Sequence, residues 1–268
     1  MQSSKEKTSA LFLQLLETME TLRGPEGCPW DKAQTPPDLN THLLEETYEV
    51  LEAVDSKKPD RLQEELGDLL LQIIFHSQMA KEKNEFDIAD VLQTLTEKLI
   101  RRHPHVFQGL EVKGVHDVLK NWEKIKMEEK QAKGLSSLLS DIPSQLPALQ
   151  KAYRLGEKAS RVGFDWPHTE DVLKKVEEEI RELTVEMKQN KTEKISEEFG
   201  DVLFSLAQLA RFLKINPEES LRHACQKFIQ RFQKVETELS LKKKSVSESN
   251  FEELNLLWEA AKKSTQIV

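Results

Sequence analysis

Two cysteines in 268 residues, Cys28 and Cys225, stand far apart and outside any CxxC spacing. That argues against a disulfide framework or a zinc knuckle. The 9 glycines, the 10 prolines and the 6% aromatic content are all low. So few turn formers and rings, with Leu, Glu and Lys in abundance, disfavour a β-sandwich or barrel and favour helices. No apolar run exceeds four residues, whereas a membrane-spanning helix needs about 20, so no membrane partner is expected. Residues Met1 to Ala10 are polar and lack the apolar core of a signal peptide, so a reduced, cytoplasmic protein is expected. No GxxxxGK[ST] stretch occurs, which excludes a P-loop mechanism. Acidic residues outnumber basic ones by 47 to 39, a net charge of −8. A general partner of DNA or RNA duplexes is disfavoured, although a local basic cluster can still grip phosphate.

What is present repeats. Glu45-Glu46-Thr-Tyr-Glu49 returns as Glu178-Glu179-Ile-Arg-Glu182, and Glu65-Leu-Gly-Asp68 returns as Glu198-Phe-Gly-Asp201, both at an offset of 133 residues. Five acidic positions thus coincide without a gap. Lys98-Leu-Ile-Arg101-Arg102 then aligns with Lys227-Phe-Ile-Gln-Arg231, and Trp122-Glu-Lys-Ile-Lys126 with Trp258-Glu-Ala-Ala-Lys262. Trp30-Asp31 has a loose counterpart in Asp165-Trp166. Agreement in the same order points to a tandem duplication.

The expected domains are 1–132 and 148–268, joined by a linker at 133–147, where Gly134, serines, Pro143 and Pro147 interrupt the helical pattern. Periodicity predicts helices near 5–22, 40–55, 60–83, 87–102 and 115–131, then 146–160, 168–189, 192–213, 217–238 and 250–263. Pro36-Pro37, Pro59, Pro104, Pro167 and Pro217 fall at the breaks, as helix-bounding prolines do. No strand alternation competes, so the expected fold is all-α, two tandem helical bundles. His116-Asp117 reads as a helix start.

The carboxylates carry the chemistry. In the helix around residue 47, Leu43, Leu44, Val50, Leu51 and Val54 read as the buried stripe, with Glu46 and Glu49 on its flank beside His42 and Ala53. In the next helix Leu62, Leu66, Leu69, Leu70 and Ile73 read as the stripe and Glu65 and Asp68 take the equivalent flank. Antiparallel packing then brings four carboxylates to one point. An isolated EExxE is usually a solvated face. Here Asp68 and Asp201 each open an apolar stretch and read as buried, and an unpaired buried carboxylate is costly unless a cation offsets it. Gly67 and Gly200, mid-helix in both copies, suggest close approach by a neighbouring backbone or ligand. Oxygen-only ligands select a hard cation, Mg²⁺ with Mn²⁺ as the alternative, and Mg²⁺ commonly works on phosphates. Lys98, Arg101 and Arg102, like Lys227 and Arg231, are spaced to hold a polyphosphate. Trp122 with Lys126, and Trp258 with Lys262, read either as base and phosphate contacts or as core tryptophans beside lysine stems.

The EExxE…ExxD pattern, its duplication, Cys28-Pro-Trp-Asp31, Arg101-Arg-His-Pro-His-Val-Phe107 and Gly163-Phe-Asp-Trp166 resemble the MazG family of nucleoside triphosphate pyrophosphohydrolases. The resemblance covers nearly the whole chain. It implies an all-α, Mg²⁺-dependent enzyme that cleaves NTP or dNTP to the monophosphate and pyrophosphate, in nucleotide-pool control or housecleaning, and acts as a homodimer. It also implies that Glu46, Glu49, Glu65 and Asp68, and Glu179, Glu182, Glu198 and Asp201, hold metal. Glu45, Glu46, Glu178 and Glu179 are the catalytic candidates, Glu45 and Glu178 as the ones that orient water. Lys98, Arg101, Arg102, Lys126, Lys175, Lys227 and Arg231 are then expected to contact the nucleotide, with Trp258 against the base. Arg102-His-Pro-His-Val-Phe107 has no counterpart after Arg231, so the two copies need not act alike. Two readings compete: another enzyme of the same fold, a dimeric dUTPase or a phosphoribosyl-ATP pyrophosphohydrolase, against which the tandem duplication weighs, and a non-catalytic nucleotide- or partner-binding helical module.

Overall fold

Proline and left-handed residues set the element boundaries. The computed structural model describes residues 4–132 and 138–264. Its two compact units are Met1–Glu129 and Lys130–Val268. The first contains α1 (Ser4–Arg23), α2 (Pro29–Ala33), α3 (Leu39–Ser56), α4 (Pro59–Glu82), α5 (Ile88–Arg102), α6 (Pro104–Phe107) and all but the last turn of α7 (Val115–Ala132). The second contains α8 (Ala148–Ser160), α9 (Thr169–Gln189), α10 (Thr192–Phe212), α11 (Pro217–Leu241), a 3₁₀ turn at Val246–Glu248, and α12 (Phe251–Ser264). The described residues contain no strand. The ten expected helices are present with ends shifted by at most three residues. α2, α6 and the 3₁₀ turn were not foreseen, being too short to show a period. Of the expected linker, residues 133–137 lie outside the described residues. Residues 138–147 form turns, and Asp141 there pairs with the buried Lys158 of α8.

Each copy is organised by one helical hairpin. Lys57 closes α3 at φ 54°, and its counterpart Asn190 closes α9 at the same φ. Two residues therefore reverse the chain, and α3 packs against α4 as α9 packs against α10. In the first unit, Met19, Leu39, Ile74, Phe75 and Met79 form the core, with Phe12, Leu15 and Leu16 of α1 laid over it. Arg23 donates to both carboxylate oxygens of Glu82 at 2.7 Å and covers the Phe75 ring at 5.2 Å, so it ties α1 to α4. In the second unit Ala152, Val172, Val176, Val202 and Ala207 are buried along α8–α10. A separate cluster, Val235, Leu239 and Ala261, joins α11 to α12 under Trp258.

The expected leucine stripes are corrected. Leu44, Leu51 and Val54 of α3 are 59%, 41% and 54% exposed, and Leu66 and Ile73 of α4 are also exposed. The buried residues of α3 are Leu39 and Ala53. The hairpin turns its small and acidic flank inward, because Ala53 lets the two helices approach while the leucine face has no neighbour within its unit. Gly67 and Gly200 meet the same fate: a Cβ on either would find nothing within 4 Å. Among the described residues of their own unit, neither glycine has the close neighbour inferred from it.

Candidate metal centre

Hairpin geometry assembles the acidic residues. Glu49 lies eight residues before Lys57 and Glu65 eight after it; Glu182 and Glu198 stand in the same relation to Asn190. Residues equidistant from a tight antiparallel turn face each other across it. Carboxylate oxygens of Glu46, Glu49 and Glu65 accordingly lie within 4.8 Å of one another, as do those of Glu179, Glu182 and Glu198. Asp68 and Asp201 stand beside these triads and repel Glu46 and Glu198, respectively. Asp201, however, is exposed and Asp68 half-buried. The deeply buried acids are instead Glu65 and Glu179, because the inward face of each hairpin runs through those positions.

Crowding raises proton affinity where no cation intervenes. Burial, then Asp68, Glu49 and Glu65, push Glu46 above the usual carboxylate range. Glu65 does the same to Glu49, chiefly by its charge. Glu198 is raised by burial and by Glu182, Asp201 and Glu179. Each buried acid has its own counter-cation, and the two copies use different ones. Arg61 is held by Glu52 at 2.8 Å and reaches Glu65 at 3.5 Å. Lys175 lies 2.7 Å from Glu178 and 2.6 Å from Glu179, and these carboxylates raise its pKa well above the usual lysine range. At the position equivalent to Lys175 the first copy has His42, which approaches Glu45 at 3.4 Å and not Glu46.

Several site residues were not foreseen. Glu186, one helical turn beyond Glu182, lines a cavity of about 380 Å³ with Glu178, Arg181, Glu182, Val185 and Glu198. Its Oε2 is buried without a hydrogen-bond partner. Spacing alone signals it, since Glu179, Glu182 and Glu186 follow i, i+3, i+7 on one face; the first copy has Ala53 there. A larger cavity, about 530 Å³, is lined by Phe164, Trp166 and Phe204 with Asp165, Gln208 and Arg211. Phe204 stands one turn beyond Asp201 on α10, so this cavity and the acidic triad share a helix.

The basic candidates divide. Arg101 and Arg102 are both engaged by Glu129, at 2.7 and 2.5 Å, while Lys98 is half-buried on the same helix. Trp122 meets His103 edge-on at 5.2 Å, and Lys126 lies one turn further along α7. Lys227 and Arg231 belong to α11, which meets α10, and Trp258 belongs to α12. Trp258 packs on Phe228 at 4.9 Å, and among the described residues the buried Nε of Arg231 has no hydrogen-bond partner. His116-Asp117 does open α7, where Asp117 accepts a hydrogen bond from the Lys113 amide at 3.0 Å.

The residues fit a hard cation. All donors are oxygens and three converge in each copy; Glu186, whose buried Oε2 has no hydrogen-bond partner among the described residues, lines the cavity beside the second triad.

Comparison with known proteins agrees with this architecture. The family described as MazG nucleotide pyrophosphohydrolase domain matches residues 34–107 and again 168–236, one match over each hairpin. A Thermotoga maritima protein named nucleoside triphosphate pyrophosphohydrolase/pyrophosphatase MazG is 48% identical over 252 residues, 94% of this chain and 96% of its own length. An Escherichia coli nucleoside triphosphate pyrophosphohydrolase is 42% identical over 93% of this chain and 96% of its own. The Bacillus subtilis protein YabN is 45% identical over 91% of this chain but only 50% of its own length.

Proposed function

Starting from a chain that belongs to the MazG nucleotide pyrophosphohydrolase family, we propose that it hydrolyses nucleoside triphosphates to monophosphates and pyrophosphate with Mg²⁺, in control of the nucleotide pool. The observation that carries this reading is the convergence of three carboxylates in each hairpin, duplicated within a chain alike end to end to enzymes of that name.

Glu179, Glu182 and Glu198, with Asp201 at the rim, would hold the ion in the second copy; Glu46, Glu49, Glu65 and Asp68 would do so in the first. Bound there, Mg²⁺ supplies Lewis-acid stabilisation of the phosphoryl oxygens. The chain's own groups do the rest. Glu178 and Glu45, beside the triads, orient a water toward a phosphorus flanking the α–β bridge. As the new P–O bond forms, the bridging oxygen departs with its bond electrons and the water's proton passes to a carboxylate or to solvent. Lys175, Lys227 and Arg231 offer cationic contacts to the phosphates. Aromatic surface for the base exists at Trp258 and in the cavity of Phe164, Trp166 and Phe204.

The second copy has the additional acid, the lysine beside the triad and the larger cavity, so it is the principal site. Pyrophosphate release from nucleoside triphosphates by the purified chain tests the reading: activity with Mg²⁺ or Mn²⁺, and loss with EDTA. Glu179→Gln should lower turnover by about 10²-fold or more, and Glu46→Gln far less. Full activity without divalent ions overturns the metal assignment. Nucleotide binding without pyrophosphate release favours the non-catalytic module instead.

A further inference from the structure

The two triads differ in where their internal cation sits. In the first copy Arg61 approaches from α4, is anchored by Glu52 at 2.8 Å and stands off from Glu65 at 3.5 Å. It leaves Glu46 without a cationic contact, and Glu46 remains crowded by four other acids. In the second copy Lys175 stands one turn before Glu179 on α9 and touches the triad at that residue. Its ammonium lies 2.6 Å from an oxygen of Glu179, the buried acid, and 2.7 Å from Glu178. An ammonium at that distance occupies one acceptor position of the Glu179 carboxylate and sets a positive charge beside the place a divalent ion would take. A divalent ion and Lys175 therefore compete for Glu179, while an ion at Glu46 has no such competitor.

We propose that Lys175 is an exchangeable counter-cation, which the second triad must give up when it binds a divalent ion and which then turns to the polyanionic substrate. The inference rests on the metal assignment above and adds an asymmetry to it. The first triad is a ready cation site. The second takes its ion weakly until a polyphosphate captures the released ammonium, so metal and substrate bind there cooperatively. Loading of the working site then awaits substrate.

His42 and Lys175 occupy equivalent, partly exposed positions on α3 and α9, so exchanging their identities is a mild perturbation. Binding of Mn²⁺ alone to the full-length chain, read as free Mn²⁺ by electron paramagnetic resonance, should show a tight and a weak class separated by about tenfold, a usual size for coupling between sites. Glu46→Gln should remove the tight class and Glu179→Gln the weak one. Lys175→His should tighten the weak class by about tenfold, and His42→Lys should weaken the tight one. Lys175→Arg, which keeps the charge, should leave both classes as in the parent and serves as the folding control. An unchanged or weakened second class in Lys175→His overturns the proposal, as does a single class in the parent. Because this readout involves no turnover, it separates from the functional reading. Pyrophosphate release with a single Mn²⁺ class defeats the exchange but not the enzyme; two exchangeable classes without release defeat the enzyme but not the exchange.

Discussion

Glu129 shows how one side chain redirects residues that spacing assigns to a ligand. Arg101 and Arg102 follow the helical rhythm of a phosphate grip, yet both turn to Glu129, across 28 and 27 residues of sequence respectively. Arg102 and then Arg101 hold the Glu129 carboxyl down at about 2, against 4.5 normally. A lowered acid stabilises the fold above its unfolded pKa, and that contribution fades as pH falls toward the folded value. Glu129→Gln should therefore destabilise the chain by about 2–3 kcal/mol near neutrality. In urea unfolding the gap between parent and variant should close between pH 4.5 and about 2; a gap independent of pH contradicts the pairing. The triads themselves were legible from EExxE and ExxD, since i, i+3 pairs mirrored about a tight turn must converge. Which acid is buried was not legible. Asp201 precedes Val202-Leu-Phe and so reads as buried, but the helix turns Val202 inward and leaves Asp201 exposed. Removing its charge should consequently do little to stability of the metal-free protein.

At the scale of elements, long helices announce themselves through period and proline, which is why their ends were placed within three residues. Side-chain pairing between helices has no such period. Gln208 lies on a helix whose neighbours are apolar, and nothing in the sequence says that it is 1% exposed and threaded against α8. Its Nε2 donates to the Ala152 carbonyl at 2.7 Å, and its Oε1 accepts from Arg211 at 3.1 Å. Gly156 makes this passage: a Cβ there would stand 1.6 Å from Gln208 Oε1. Gly156→Ala should therefore cost about 1–3 kcal/mol through overpacking, despite the better helix propensity of alanine. Shortening the other partner relieves the clash, so Gly156→Ala should cost less in a Gln208→Ala background. Thermal melts of the four proteins measure that coupling, and strict additivity would show that α8 and α10 do not meet as described.

The whole molecule repeats one device twice, and in both copies an apolar face is left without a partner in its unit. Leu44, Tyr48 and Leu51 on α3 recur at i, i+4, i+7, and Leu66 and Ile73 continue the face on α4. Leu173 and Ile180 on α9, with Phe199, Leu203 and Leu206 on α10, do the same. Leu44, Leu51, Leu66 and Ile73 have the periodicity of core residues, yet the described residues of their own unit leave them exposed. Contiguous apolar faces of this kind are rare on monomers. A Cβ on Gly67 or Gly200 would meet no neighbouring element within 4 Å among the described residues, which leaves room for another helix to come close. If the chain pairs as the expected homodimer, a second copy would cover these faces through a two-fold interface in which the same faces meet. Sedimentation equilibrium should then give twice the 31.0 kDa chain mass. A Leu51→Glu, Leu203→Glu double variant should shift to the single-chain mass while keeping its far-ultraviolet helix signal. Since hairpins stripped of their cover lose support for the triads, its pyrophosphate release should fall with the dimer. Melting temperature should rise with protein concentration in the parent and not in the variant, as mass action requires of a dimer. A parent that sediments as one chain at tens of micromolar, with these faces exposed, would mean that the dimer is wrong.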